Sequence, residues 1–253
     1  MIVIGMTGPI GHGKSTFASA IKELEPTTIH LESSLIIAEI ANAMHATLTD
    51  IPDPYDVNSL NQWLRSLPAI LLDVMNVKCD MSQIRLDPAD IEQHPAEYQK
   101  LILHVENLQR EPHLAKQEIT KDNKEAYRPM LQWLGGYLVE KVKPTIWYDE
   151  VVRRVQKARE SGCKLVIVGG LRYPSDATAL RKIGGIIIKV YRPGHLQNDM
   201  LDPTERERDN IRVDSTVMSN GSIEDVPRCA KLIIKDIKAD NLQTLYQTVD
   251  ARK

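Results

Sequence analysis

Short apolar runs alternate with longer stretches of helical spacing along this chain. Each run has the length of a buried parallel strand, and the stretches between them place apolar residues at helical intervals. Strands that alternate with helices predict right-handed crossovers and a parallel sheet covered on both faces, with ligands outside the carboxyl ends of the strands. The predicted strands are Ile2 to Met6, Thr28 to Leu31, Leu165 to Val168, Ile186 to Val190 and Leu232 to Ile234.

A long helical region separates the second predicted strand from the third. We interpret residues from about 42 to 160 as an insertion in a single α/β domain that spans residues 1–253. Insertions beside a ligand loop often form the pocket for a second substrate, and a passive cap is the alternative. The predicted helices are Leu35 to Met44, Leu60 to Val74, Tyr98 to Gln109, Tyr127 to Val142 and Tyr148 to Glu160.

The composition of the chain limits which binding partners and which cellular compartment we expect. The 253 residues are 42% hydrophobic, and 32 basic residues face 34 acidic ones, for a formal net charge of −2. That balance argues against binding of polymeric nucleic acid. Three isolated cysteines predict neither a disulfide framework nor a zinc site. Because no signal peptide or membrane span is visible, we expect a soluble cytoplasmic protein without a membrane partner.

The first strand leads directly into the pattern GxxxxGKS. Glycines at 8, 11 and 13 permit turns in which successive backbone N–H groups converge on one anion. Lys14 supplies a mobile positive charge for the β- and γ-phosphates, and Ser15 a hydroxyl for Mg²⁺. The segment therefore predicts a phosphate-binding loop followed by a helix. His12 occupies a variable position of the pattern, which favours a residue without a role of its own in the chemistry.

A helix with polar groups four residues apart follows in the insertion. Arg128 and Gln132 share a face if Tyr127 to Gly136 is helical, so a guanidinium for phosphate and an amide for a base project together. Trp133 lies beside them. The alternative is that Arg128 is a solvated charge at the helix start and Trp133 is part of the core.

Arginines also follow the third and fourth predicted strands. Arg172 falls just past the carboxyl end of the third strand, where a side chain faces the ligand crevice. Arg206 and Arg208 lie in a charged segment that we interpret as part of a lid over about 194–214. A salt-bridged surface helix is the alternative for that segment.

These strings together resemble the phage-type deoxynucleoside monophosphate kinases, a group of P-loop nucleoside monophosphate kinases. The matching segments are Gly8 to Ser15, the LQWLG string from Leu131, the strand and turn from Val166 to Asp176, Gly185 to Arg192, and Asp214 with Asn220-Gly221-Ser222. Residues from about 42 to 124 resemble that family least.

The resemblance implies a P-loop three-layer sandwich with a five-stranded parallel sheet, and transfer of the ATP γ-phosphoryl group to a deoxynucleoside monophosphate with Mg²⁺. A phage-encoded enzyme would act in the host cytoplasm, and a homodimer stays a hypothesis. The implied catalytic residues are Lys14, Arg128, Arg172, Arg206 and Arg208. The implied ATP-binding residues are Gly8, Gly11, His12, Gly13, Lys14, Ser15, Thr16, Asn220 and Gly221, with Ser15 as the metal ligand. The implied acceptor-binding residues are Glu32, Arg128, Gln132, Trp133 and Arg172.

One departure from the family leaves the metal's acidic partner open. Such kinases commonly end the third strand with an aspartate, whereas Gly169 and Gly170 stand here. Glu32, directly after the second strand, is one substitute, and an N-terminal position in the next helix is its alternative role. Asp176 is the other available acid, although its position favours a helix start.

Two other functions compete with this interpretation. In an enzyme that resembles dephospho-coenzyme A kinase, Glu32 would be a general base. A nucleotide-dependent switch with slow ATP hydrolysis is the second alternative. The accepted base and the preference for deoxyribose are not determined by the sequence.

Overall fold

The computed structural model describes residues 1–47, 53, 55–79, 95–120, 122–194, 207–218 and 225–238. These residues divide into two units. One unit contains residues 1–33 and the described residues from 148 onward, and the other contains 34–147.

The first unit is built on a five-stranded parallel sheet. Its strand order is β2-β3-β1-β4-β5, and every neighbouring pair is parallel. All carboxyl ends of the strands therefore lie at one edge, as predicted. The strands are β1 (Ile2–Thr7), β2 (Ile29–Leu31), β3 (Leu165–Val168), β4 (Gly185–Tyr191) and β5 (Ser215–Met218).

Helices cover both faces of this sheet. Side chains of Ile4 and Met6 in β1 join the core formed with α1 (Lys14–Leu24) and α8 (Asp225–Lys238). Gly5 faces the opposite side, where a Cβ would lie 2.8 Å from Leu180 of α7 (Pro174–Lys182). The alternation of side chains along β1 thus supports a layer of helix on each face. The model confirms an α/β protein with helices flanking a parallel sheet.

The prediction for the fifth strand is wrong. Residues 232–234 belong to α8, in which Val226, Ala230 and Ile233 recur at helical intervals and are buried. A three-residue apolar run fits either a strand or one turn of such a helix, so it did not distinguish them. The fifth strand lies instead at 215–218, where Val217 is the only buried hydrophobic residue.

The second unit is helical throughout its described elements. All five helices predicted between the second and third strands are present, with ends shifted by a few residues. They are α2 (Ser33–Thr47), α3 (Val57–Cys79), α4 (Pro95–Arg110), α5 (Arg128–Lys141) and α6 (Ile146–Glu160), of which α6 continues into the first unit, and a short 3-10 helix spans Pro112–Lys116.

A pair of histidines lies in the core of the helical unit. Their Nε2 atoms are 3.1 Å apart, and His104 has no exposed surface. One of these two ring nitrogens donates its hydrogen to the other, and a backbone hydrogen bond also links His45 to Ala115. Burial lowers the pKa of His45, and it lowers the pKa of His104 to about 3. Both rings are therefore neutral at pH 7.

The pair should make the helical unit sensitive to acid. Because the folded pKa of His104 is about 3, the unfolded chain binds more protons below the usual value of 6.5, and stability is lost as pH falls through that range. His104 alone should lower the free energy of unfolding by about 2 kcal/mol between pH 7 and pH 5. Chemical denaturation at both pH values measures this loss, and His104→Gln should remove it. Equal losses in both proteins would contradict the assignment.

Candidate functional site

The segment between β1 and α1 forms a tight loop, which we call the glycine loop (residues 8–13). Gly8, Gly11 and Gly13 have φ angles of 135°, 79° and 94°, a region that favours glycine. Gly8 is also packed so closely that a Cβ would overlap the carbonyl oxygen of Val190 in β4. These glycines let the chain turn directly from a buried strand into a helix whose N-terminus begins at the sheet edge.

A hydrogen bond of the His12 side chain links the glycine loop to the end of β4. Its side chain is buried, its Nδ1 accepts the Arg192 backbone N–H at 3.0 Å, and its ring lies 5.2 Å from that of Tyr191. The sequence placed His12 among the residues around the nucleotide. The structure instead turns its side chain toward β4, where it supports the loop.

Lys14 folds back over the glycine loop. Its Nζ donates hydrogen bonds of 2.7 Å to the carbonyl oxygens of Gly8 and Pro9. Burial, followed by the positive charge of Arg208, lowers the Lys14 pKa to about 8; Arg172 acts in the same direction, and Glu32 opposes it. The charges of Arg208, Glu32 and Arg172 therefore all act on Lys14 at the carboxyl edge of the sheet.

Glu32 occupies the space left by the glycine at the end of β3. A Cβ on Gly169 would overlap the Glu32 carboxylate and lie 2.6 Å from its Cγ. The Gly169 N–H donates to the carbonyl of Leu31 at 2.8 Å, which holds the two strand ends together. Glu32 is half-buried, and its Oε1 is 3.1 Å from the Nε2 of His30. An acid thus reaches the end of β3 from the neighbouring strand.

Asp176 is engaged at the start of α7. Its Oδ2 accepts the backbone N–H groups of Arg172 and Tyr173, each at 3.0 Å. These are bonds of a carboxylate near the first turn of a helix, the role that its position favoured. Burial is the main cause that raises its pKa above the ordinary value. Of the two acids proposed as partners of the metal, Glu32 is the one whose charge acts on Lys14.

The predicted arginines have different surroundings. Arg172 is exposed just after β3, whereas Arg208 is 4% exposed and lies 3.7 Å from the Asp209 carboxylate. Asp209 also pairs with Lys189 of β4 at 3.5 Å. Arg208 is therefore buried, whereas a salt-bridged surface helix, the alternative for this segment, would leave it exposed. Arg206, Asn220 and Gly221 lie outside the described residues, as do 195–206 of the predicted lid.

The helical unit holds the other predicted acceptor residues. Arg128 and Gln132 lie four residues apart on α5 and are exposed, and Arg128 pairs with Glu125 at 2.7 Å. Trp133 has no exposed surface and stacks on Tyr137, with ring centroids 5.3 Å apart. Trp133 is therefore a core residue, which corrects its placement among the acceptor-binding residues.

Two residues of this region were not predicted as site residues. Tyr148, in the first turn of α6, is buried, and burial followed by the charges of Asp176 and Glu32 raises its pKa well above the ordinary value. Asp214 accepts the Ile187 N–H at 2.7 Å and pairs with Arg181 at 2.9 Å, which fixes the segment before β5. The contacts of both residues join parts of the chain far apart in sequence, so spacing alone could not reveal them.

No protein-family model matches this chain, and no curated protein matches its sequence. The fold assigns it to the α/β proteins with a five-stranded parallel sheet flanked by helices. No helix in the described part of the chain is long and apolar enough to cross a membrane. Within the same part, no three histidine, cysteine or acidic side chains cluster as a metal site would require.

Proposed function

We propose that the protein is a kinase that transfers the γ-phosphoryl group of ATP to a deoxynucleoside monophosphate. The observation that carries the proposal is the glycine loop at the carboxyl edge of a parallel sheet, with the Lys14 ammonium folded over it and the charges of Arg208 and Arg172 acting on that ammonium. Ligands of open α/β sheets bind at that edge, and a loop that leads into a helix N-terminus suits phosphate.

The cationic groups match the charge requirements of phosphoryl transfer. The acceptor phosphate is already anionic at neutral pH, so the reaction needs positioning and charge neutralisation more than a strong base. The Lys14 Nζ exchanges the carbonyls of Gly8 and Pro9 for phosphate oxygens, and Arg172 and Arg208 neutralise the transferring group. Burial of Lys14 and Arg208 strengthens these interactions because less water screens them.

The residues at this edge also suit Mg²⁺. The hydroxyl of Ser15 and the carboxylate of Glu32 are hard oxygen donors, and nucleotide phosphates and water complete the usual set for this ion. Glu32 acts electrostatically on Lys14, the residue before Ser15, so the acid lies near the start of α1. When bound, Mg²⁺ would neutralise phosphate charge.

The acceptor nucleotide requires a second set of groups, for which we propose the exposed face of α5. Arg128 offers a guanidinium for phosphate and Gln132 an amide for the base. Arg128 exchanges its exposed pairing with Glu125 for the acceptor, which costs little because exposed ion pairs are weak.

A second candidate is a kinase that resembles dephospho-coenzyme A kinase, because Glu32 lies against the end of β3 in a half-buried position that a general base could also use. The variant Glu32→Gln separates the two. We expect a loss of about tenfold at low Mg²⁺ that higher Mg²⁺ relieves, as for a residue that supports a metal. A far larger loss with unchanged ATP affinity and no rescue by Mg²⁺ would indicate the base.

A coupled assay of ADP release tests the proposed function. The panel contains dTMP, dGMP, dCMP, dAMP, dUMP, the ribonucleotides and dephospho-coenzyme A, each with Mg²⁺ and ATP. Strong stimulation by one or more deoxynucleotides supports the proposal and names the acceptor. Stimulation by dephospho-coenzyme A alone supports the second candidate, and slow turnover without any acceptor supports a switch.

A further inference from the structure

The ring of His30 contacts the acid of the proposed site directly. Its Nε2 lies 3.1 Å from the Oε1 of Glu32, and the two side chains are 26% and 23% exposed. His30 lies in β2 and Glu32 directly follows that strand. Side chains two positions apart along a strand project to the same face of the sheet, so the strand itself brings the ring and the carboxylate together.

The distance between these two atoms is that of a hydrogen bond in which the ring donates. An ionised carboxylate carries no hydrogen and can only accept, so the hydrogen of the bond belongs to the His30 Nε2. A bond to a charged acceptor is stronger than one between neutral groups. Partial burial of both side chains strengthens it further, because less water screens the charge.

The two oxygens of the Glu32 carboxylate have different surroundings. Oε1 accepts the bond from His30, and it is also the oxygen that a Cβ on Gly169 would overlap. Oε2 lies 4.0 Å from the position that a Cβ on Gly170 would take. The His30 ring and the end of β3 therefore hold Oε1, and this sets the direction in which Oε2 points.

We propose that His30 is a positioning residue that holds the Glu32 Oε1 at the end of β3 and so directs Oε2 toward a nucleotide-bound Mg²⁺. The inference rests on the proposed function, in which Glu32 supports that ion. A glutamate side chain loses rotamer freedom when a ligand fixes it, and this loss weakens binding. The bond from His30 fixes the carboxylate before the nucleotide arrives, so less freedom is lost on binding.

The variant His30→Leu tests the inference through the effect of Mg²⁺ on nucleotide binding. Calorimetry measures the affinity for ADP with and without Mg²⁺. We expect the gain from Mg²⁺ to fall several-fold, because partners that orient a metal-supporting group contribute to metal affinity. The affinity without Mg²⁺ should stay the same. His30→Gln should keep most of the gain, because its amide nitrogen can donate from nearly the position of Nε2.

A second histidine and glutamate pair provides the matched control. His113 lies 3.9 Å from the carboxylate of Glu111, also two positions away, but these side chains are 64% and 62% exposed. His113→Leu removes the same ring from an exposed pair of the helical unit, so the gain from Mg²⁺ should match that of the wild type.

The ring nitrogens of His30 give a readout that does not depend on a nucleotide. Their ¹⁵N chemical shifts should show a hydrogen on Nε2 in the wild type at pH 7. The Nε2 signal should move in Glu32→Ala, where the acceptor is missing. A His30 ring with its hydrogen on Nδ1 alone could not donate to Glu32 and would overturn the inference.

A double-mutant comparison shows whether His30 acts through Glu32. In His30→Leu/Glu32→Ala, the gain from Mg²⁺ should be no smaller than in Glu32→Ala alone. Independent losses would overturn the inference, and so would an unchanged gain in His30→Leu, whether or not its thermal stability falls. A wild type that gains ADP affinity from Mg²⁺ but lacks acceptor-dependent turnover would instead reject the proposed kinase activity.

Discussion

Replacing Lys14 by alanine should lower acceptor-dependent turnover by about 100- to 1000-fold. The ammonium is the charge of the glycine loop that can move onto the phosphates, and removal of one such group from a buried site typically costs two to three orders of magnitude. Lys22, in the last turn of the same helix, provides the matched control because its substitution by alanine removes an equal charge from an exposed position. Steady-state rates of both variants measure the effect.

A second readout of Lys14 does not depend on turnover. Because its pKa is about 8, roughly half of the resting protein carries a neutral Lys14 at pH 8. The negative charge of ATP should raise that pKa, so binding at pH 8 should take up about half a proton. Calorimetry in buffers of different ionisation enthalpy measures this uptake. Equal uptake in the wild type and in Lys14→Ala, or equal rates in the two, would contradict the role of Lys14.

Replacing Gly169 by aspartate should lower turnover at limiting Mg²⁺ by about 100-fold, the upper range for groups that support a metal site. The new side chain would occupy the space that the Glu32 carboxylate fills and would place two like charges together. The φ angle of Gly169 is not in the positive region, so its backbone admits a side chain. The Glu32 carboxylate is thus what prevents an aspartate from fitting at position 169.

Removal of Glu32 should therefore rescue the aspartate. We expect Glu32→Ala alone to lose between about 10- and 100-fold, and Gly169→Asp/Glu32→Ala to return to within about tenfold of the wild type. The control Gly169→Ala/Glu32→Ala relieves the same overlap without supplying an acid, so it should fold but stay as slow as Glu32→Ala. A double variant with aspartate that is slower than both single variants would contradict the exchange of one acid for the other.

The sheet could be predicted largely from sequence because its central strands β1 and β3 are buried on both faces. Such strands appear as continuous apolar runs, and Leu165–Val168 is entirely buried. The fifth strand was not predicted in this way because Ser215 and Thr216 interrupt the apolar pattern. Its place is fixed by pairing with β4 and by the bonds of Asp214, which are tertiary contacts.

The site was predictable only where local sequence determines geometry. The glycine loop follows from the spacing of its glycines, and their positive φ angles agree with the turns expected there. The contact of Glu32 with Gly169 joins residues 137 positions apart. No local pattern encodes such contacts, since they depend on how the strands and helices pack.

The most direct test of the proposed kinase activity follows the γ-phosphoryl group itself. ATP labelled with ³²P at that position is incubated with Mg²⁺, a deoxynucleoside monophosphate and the wild type, and the products are separated by chromatography. We expect the label in the deoxynucleoside diphosphate, with at least about 100-fold slower transfer by Lys14→Ala. Release of all the label as inorganic phosphate would show hydrolysis without transfer and would contradict the proposal.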